Sequence, residues 1–252
     1  RDGGYIVVGG TIYGPTLHQI LLLKTGSLGD TLWTRIFYKD WGIPEEATNF
    51  ASYVEETTDG GFMIVGTTGY CEFIGEWYCY SWAWLIKTDS LGNNLWDRIY
   101  GGEGMSGQHT MDGGYIGGAR AQHKSNQFTP DAIGDTIWTC RFDDEGKDWA
   151  SCVRQTMDGG YIVTGTTNYI PHHGEWDNYL GDLCLLKIDP QGKIEWTRRY
   201  GGDQTDYGWC VQETNDGGYI VVGNTWKLGE YEHDIWLLKT DETGDTLTGI
   251  SE

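Results

Sequence analysis

The sequence predicts an all-β fold: a single five-bladed β-propeller domain over residues 1–252, built of four-stranded antiparallel blades, with the first blade incomplete at its N-terminal side. Three observations predict it. One phrase returns five times, as Asp2-Gly3-Gly4-Tyr5-Ile6-Val7-Val8-Gly9, Asp59-Gly60-Gly61-Phe62-Met63-Ile64-Val65-Gly66, Asp112-Gly113-Gly114-Tyr115-Ile116, Asp158-Gly159-Gly160-Tyr161-Ile162-Val163-Thr164-Gly165 and Asp216-Gly217-Gly218-Tyr219-Ile220-Val221-Val222-Gly223. Its Asp residues are 57, 53, 46 and 58 positions apart, and a period of about 50 carrying short strands marks a propeller rather than a helical solenoid. The chain also holds 39 Gly and only 5 Pro, which suits many tight turns between short strands.

The fourth repeat serves as template for the elements. Trp149 to Thr156 is the first strand, and Met157-Asp158-Gly159-Gly160 the tight turn after it. Asp supplies the side-chain hydrogen bond and Gly the positive φ that such turns need. Tyr161 to Thr166, rich in β-branched and aromatic residues, is the second strand. A long connection, Thr167 to Gly181, leads to the third strand, Leu183 to Asp189. The turn Pro190-Gln191-Gly192-Lys193 then leads to the fourth, Ile194 to Tyr200. A Trp follows this turn's Gly by four residues in Gly29/Trp33, Gly92/Trp96, Gly134/Trp138 and Gly192/Trp196. At that offset the ring is expected to fold back over the preceding strand and fill space between sheets.

These phrases, together with Trp236-Leu237-Leu238-Lys239-Thr240-Asp241 and Trp196-Thr197-Arg198-Arg199-Tyr200-Gly201-Gly202, resemble the secreted β-propeller repeat of bacterial and archaeal surface proteins. The likeness covers nearly the whole chain. It is also similar to the tryptophan-docking repeat of quinoprotein propellers, with a turn one residue shorter, and to the Asp-box of sialidase-like propellers. The resemblance implies a propeller, an extracellular or cell-surface location and a binding or structural role, and it carries over no catalytic residue. Five repeats fall short of the larger ring that quinone-dependent enzymes use, so no quinone is expected. Three departures stand out. Repeat three has Asn126 to Pro130 where the others have Leu-Leu-Lys-Thr-Asp, and a Pro there fits only a strand end or edge. Gly104 to Thr110, before Asp112, is a degenerate first strand, and the last unit ends Gly244-Asp245-Thr246-Leu247-Thr248, without the docking Trp. No first strand precedes Asp2, so blade one is expected either to have three strands or to lack residues upstream of Arg1. A start without Met or signal peptide reads as a processed or fragmentary chain.

The formal charge is −20. It argues against nucleic acid and anionic lipid as partners, since both require basic patches. It suits a self-repelling surface and, at most, divalent cations. No run of 18 apolar residues is present, so no membrane insertion is expected.

Function on a propeller resides in its variable loops, because the strands are committed to packing. The second-to-third connections are long and all different, and propeller geometry gathers them on one face. Three of them combine aromatics with carboxylates: Glu76, Trp77, Tyr78 and Trp82 in repeat two, Glu175, Trp176 and Tyr179 in repeat four, and Trp226 and Tyr231 in repeat five. Ring faces stack on sugar C–H surfaces while carboxylates accept hydroxyl hydrogen bonds, so a glycan or an extracellular protein is the expected partner. The plainer alternative is that the rings staple long loops to one another. A glycoside hydrolase, with Glu76 and Glu175 as the pair to test, and a subunit of an extracellular assembly are the rival readings. Neither a Ser-His-Asp set nor a phosphate loop is present, so no catalytic residues are assigned.

Six cysteines in such a chain make disulfides plausible. Cys71 and Cys79 flank Gly75 in one connection and are the expected pair. Cys152 and Cys210 hold the same first-strand position in successive repeats, which places them on neighbouring blades out of contact. They are read with Cys140 and Cys184 as buried thiols acting as small apolar residues, and a Cys140–Cys152 bridge is the alternative. No metal or cofactor is assigned. His172 and His173 beside Glu175 and Asp177 lack a completing ligand for Zn or Cu. Asp203, Asp206, Glu230, Glu232 and Asp234 are acids that could serve Ca²⁺, without an EF-type loop.

Overall fold

A computed structural model describes residues 2–13, 17–42, 47–120, 125–142, 147–171, 179–202, 205–226 and 233–246. They form strands and turns, with no helix among the described residues. Repeat one supplies β1 (Ile6–Tyr13), β2 (Leu17–Thr25) and β3 (Thr31–Phe37), and repeat two β4 (Ala47–Glu56), β5 (Phe62–Phe73), β6 (Trp77–Thr88) and β7 (Asn94–Gly101). Repeat three gives β8 (Glu103–His109), β9 (Tyr115–Arg120), β10 (Ser125–Pro130) and β11 (Thr136–Phe142). Repeat four gives β12 (Lys147–Gln155), β13 (Tyr161–Pro171), β14 (Tyr179–Ile188) and β15 (Ile194–Tyr200), and repeat five β16 (Thr205–Glu213), β17 (Tyr219–Trp226) and β18 (His233–Thr240).

Within each repeat the strands follow one another as an antiparallel meander. Repeat one is a three-stranded sheet, repeats two and three are four-stranded, and repeats four and five share one sheet. A single parallel bridge, Gly181 to Thr205, makes that last junction. The strand before Asp112 is fully formed as β8, and Pro130 is the last residue of β10, where the missing amide costs no interior ladder bond. The chain divides into two compact units, Arg1–Gly117 with Pro130–Thr136, and Gly118–Thr129 with Ile137–Glu252.

Each unit is cored by sheet faces meeting. In the first, Ile20, Leu22 and Phe37 of repeat one pack on Phe62, Ile64, Trp84 and Ile86 of repeat two. The opposite face of repeat two, Met63, Val65 and Leu85, packs on Tyr115 of repeat three. In the second unit Leu183 and Leu185 of repeat four pack on Tyr219, Val221 and Leu238 of repeat five. The sheet of repeat two is therefore apolar on both faces, which is why Phe62 to Val65 and Ala83 to Ile86 read as continuous hydrophobic runs.

Two turns repeat with the sequence. In Thr57-Thr58-Asp59-Gly60-Gly61 the Thr57 hydroxyl (2.5 Å) and the Gly61 amide (3.0 Å) donate to Asp59, and Lys87 reaches it from β6 at 2.9 Å. The same Asp–Lys pairs are Asp2–Lys24, Asp158–Lys187 and Asp216–Lys239. The first Gly sits at φ +82°, and a Cβ on the second would lie 2.1 Å from the Thr88 carbonyl oxygen. Repeat three has Thr129 where the others have Lys, and its hydroxyl donates to the Trp138 carbonyl instead.

The tryptophans fill space between sheets as expected, and each does so at the Gly turn of the following repeat. Trp33 and Arg35 lie against Gly92, Trp96 and Arg98 against Gly134, Trp138 against Gly192, and Trp196 and Arg198 against Gly244. Each ring also meets the aromatic after the next Asp-Gly-Gly, at centroid distances of 5.8 Å (Trp33–Phe62), 5.6 Å (Trp96–Tyr115), 5.4 Å (Trp138–Tyr161) and 5.8 Å (Trp196–Tyr219). A glycine turn leaves room for the ring at +77° to +87°, a backbone region that also disfavours any other residue. Arg35, Arg98 and Arg198 lie over their tryptophans at 5.4, 5.9 and 5.6 Å.

The cysteines bring one confirmation and two corrections. Cys71 and Cys79 form a disulfide. Cys152 and Cys210, expected out of contact, stand with their sulfurs 3.6 Å apart, because β12 and β16 face one another across the repeat-four/repeat-five junction. Cys210 is exposed rather than buried, while Cys140, Cys152 and Cys184 are buried free thiols. Burial pushes the Cys152 thiol up to about 11 and raises Cys184 as well.

Candidate functional site

The repeat-two connection expected as a loop is a ribbon. β5 and β6 stay in register from Phe62↔Thr88 to Phe73↔Trp77, and only 74–76 turn, with Gly75 at φ +82° and the Ile74 amide donating to the Glu76 carbonyl at 3.0 Å. The alternation of the sequence explains it: with a period of two, Thr68, Tyr70 and Glu72 share a face with their partners Trp82, Tyr80 and Tyr78. Cys71 and Cys79 oppose each other on the reverse face, so their bond ties the two strands near the tip.

One face of this ribbon therefore carries an aromatic platform. Trp41, from the link between repeats one and two, stacks on Trp82 at 4.8 Å and contacts Tyr70 at 5.6 Å. Tyr70 meets Tyr80 at 5.3 Å and Trp82 at 5.9 Å, and Tyr80 stacks with Trp82 at 6.2 Å. Beneath it runs a buried polar chain: the Trp41 indole donates to Thr68 (3.1 Å), the Thr68 hydroxyl to Asn49 (2.8 Å), and the Asn49 amide to the His18 carbonyl (3.0 Å). Asn49 and Thr68 are fully buried, so this chain holds the rings in place. Above it the Tyr78 hydroxyl donates to Glu76 at 2.5 Å. Hydrogen bonding to Glu76 raises the Tyr78 phenol, and hydrogen bonding to Glu72 raises Tyr80. Tyr78 and Tyr80 are exposed while Trp41, Tyr70 and Trp82 are half-buried; such rings beside carboxylates with spare lone pairs can stack on a flat apolar ring face and accept hydroxyl hydrogen bonds.

Of the residues picked from sequence, this assembly unites Tyr78 and Trp82 with Glu76 at its tip. Trp77 begins β6 at the ladder position paired with Phe73. In repeat four β13 and β14 likewise extend the hairpin to Pro171 and Tyr179, and in repeat five β17 runs to Trp226 and β18 starts at His233. Tyr179 and Trp226 are thus placed on strands. Glu175, Trp176 and Tyr231 lie outside the described residues, as do His172, His173, Asp177, Asp203, Glu230 and Glu232. Trp41 was missed, although it sits in an inter-repeat link of the kind expected beside these connections. Tyr70, Tyr80 and Glu72 were legible only as loop content until the ribbon's register aligned them.

Asp182 and Asp206 form the other acidic feature: a side chain at Gly201 would meet both carboxylates at 2.5 Å. Burial raises Asp182, with the Asp206 charge adding to it; burial also raises Asp206, against hydrogen bonds from Thr225 and the Gly202 amide. Asp206 is nearly fully buried. Asp182 is half-buried, and the pair lies at the repeat-four/repeat-five junction. Among the described residues no group of three or more His, Cys, Asp or Glu is arranged to hold a metal ion.

No protein-family model matches this chain. No curated protein matches it either. Among solved structures it is similar to a protein of unknown function from Bacteroides caccae, with a TM-score of 0.52 over 95% of this chain and 91% of that one, at 10% identity. At that identity the likeness speaks to fold alone.

Proposed function

We infer that this protein is an extracellular binding module whose repeats are blades of the β-propeller type, and that the ribbon of repeat two binds carbohydrate. One observation carries the reading: four aromatic rings, Trp41, Tyr70, Tyr80 and Trp82, gathered on one ribbon face over a buried polar support, with Glu72 and Glu76 hydrogen-bonded to tyrosines of the same ribbon. The blade reading is supported by the four tryptophan junctions, each joining one repeat to the next. The extracellular reading is supported by the Cys71–Cys79 bond, which favours an oxidising compartment. A glycan array on the full chain, followed by calorimetry with the best ligand, tests it. Trp82→Ala and Tyr80→Ala should each weaken binding at least about tenfold, the loss of roughly 1.4 kcal/mol of stacking. Equal binding by both variants, or no glycan bound at all, refutes the assignment.

A further inference from the structure

The tryptophan junctions differ in what meets the fourth-strand arginine. Arg98 reaches Asp135, the residue after Gly134, at 3.8 Å, and Arg198 reaches Asp245, after Gly244, at 3.1 Å. Beside each pair a tyrosine closes the junction: the Tyr100 hydroxyl donates to the Gly134 carbonyl at 2.6 Å, and that of Tyr200 to Gly244. Between repeats one and two both positions change. The residue after Gly92 is Asn93, a neutral amide, and Phe37 stands where the tyrosines do. The junction of repeats three and four drops both partners together, with Cys140 in place of the arginine and Lys193 in place of the acid. Of the three arginines, Arg35 alone has a turn without that acid. Asp89 feels the Arg35 charge, but its carboxylate already accepts the Leu91 and Asn93 amides and the Asn93 side chain. A groove of about 410 Å³ lies at this place, within the first compact unit, and its lining includes Arg35, Phe37, Lys39, Trp84, Asn94 and Asp97. Asp97 is fixed there by three donors: the Lys39 ammonium at 2.8 Å, the Trp84 indole at 2.9 Å and the Asn94 amide at 3.4 Å. The lining thus sets two cations against one engaged carboxylate, in a chain whose formal charge is −20.

We propose that this groove binds a small carboxylic acid of monosaccharide size, whose carboxylate takes at Arg35 the place that Asp135 and Asp245 take at Arg98 and Arg198. The planar guanidinium fork matches a carboxylate in shape and charge. Lys39 adds a second positive charge, since Asp97 takes one of its three N–H donors. The volume falls among small-molecule sites, which run from about 300 to 1,000 Å³. The Phe37 ring and the Asn94 amide offer the body of the ligand one apolar and one polar contact. The groove shares no lining residue with the aromatic platform, so the proposal does not rest on the carbohydrate reading of that face.

Titration of the full chain with glucuronate, glucose and cyclohexanecarboxylate tests this, followed by calorimetry and at the Trp84 indole N–H in heteronuclear NMR spectra. The expected result is a saturable shift of that signal with at least one of the two acids and none with glucose. Tighter binding of glucuronate marks the ligand as a sugar acid, and tighter binding of cyclohexanecarboxylate as a plain organic acid; either supports the site. Asn93→Asp writes into this turn the acid that repeats three and five carry beside Asp131 and Asp241, so the fold accommodates it. It should weaken binding at least about tenfold by giving Arg35 an internal partner, and Arg35→Gln should do the same by removing the charge. No binding of either acid, equal binding of glucose, or undiminished binding by Asn93→Asp overturns the proposal. Shifts at the Trp41 and Trp82 indoles without one at Trp84 place the acid on the platform and overturn it as well.

Discussion

The Asp of each Asp-Gly-Gly turn is the residue on which local geometry and stability meet. Burial pushes Asp59 upward, but the Thr57 hydroxyl, the Lys87 ammonium and the Gly61 amide more than reverse this and hold its carboxyl at about 2. Asp158 is held at about 2 by the same groups of its own repeat, and Asp2 at about 2 chiefly by Lys24. A folded-state value below the ordinary carboxylate range means stability present at neutral pH and lost as pH falls from about 4 to about 2. Acid titration of unfolding should show that loss. Asp59→Asn should remove its share and destabilise by about 1–2 kcal/mol at pH 7, because it strips the carboxylate from a Lys87 side chain only 5% exposed; the Asp itself is open to solvent, which limits the effect. Asp182 works in the opposite sense. Its carboxyl is raised by burial and by Asp206, so its charge opposes folding as pH climbs through the folded value. Asp182→Asn should stabilise the protein at pH 7 by up to about 1 kcal/mol, read from urea midpoints. Unchanged or lower midpoints would contradict the repulsion.

Among elements, the fourth-strand tryptophan and the glycine turn it meets act as a pair contributed by different repeats. Gly192→Ala places a Cβ 2.6 Å from the Trp138 ring at φ +87°, so both backbone and contact are strained. It should destabilise by about 2–3 kcal/mol, whereas Gly29→Ala, with a similar φ but nothing opposite, should cost only about 1 kcal/mol. Equal losses at the two glycines would mean that the tryptophan junction adds nothing. The repeat-two ribbon depends on its disulfide in a more local way. Closing a loop between residues eight apart restricts the open chain by about 2–3 kcal/mol, and the constraint falls on the tip carrying Glu72, Glu76 and Tyr78. Cys71→Ser with Cys79→Ser should therefore speed hydrogen exchange at 70–80 while leaving exchange at the Trp84 and Leu85 amides of the same ribbon slow. The Cys152 and Cys210 thiols, 3.6 Å apart, should join under mild oxidation, seen as a mass loss of two hydrogens that Cys210→Ser abolishes.

At the scale of the whole molecule, repeat two presents apolar rows on both faces of its sheet and is packed by repeat one on one side and repeat three on the other. Buried Leu, Ile and Val make the internal junctions, and the same residue types lie exposed on repeats one and five. The −20 charge gives the chain a self-repelling surface that added salt screens.

The repeat, the strand order and the turn chemistry were readable from the chain, because they depend on contacts between residues close in sequence: an Asp two residues from the amide it accepts, a Gly where φ must be positive, a period of two along each strand. The Cys71–Cys79 pair was readable for the same reason. What the tertiary structure decided was contact between repeats. Trp33 could be seen to follow Gly29 by four residues, yet its partner is Gly92, and spacing within one repeat holds no record of a neighbour. Cys152 and Cys210 shared a position in two repeats, but only the packing of β12 against β16 brought their sulfurs together. Trp41 joined Trp82 because a link and a ribbon from successive repeats converge on buried Asn49 and Thr68. Local rules set the shape of each sheet; the apolar faces that sheets bury against one another set which side chains meet.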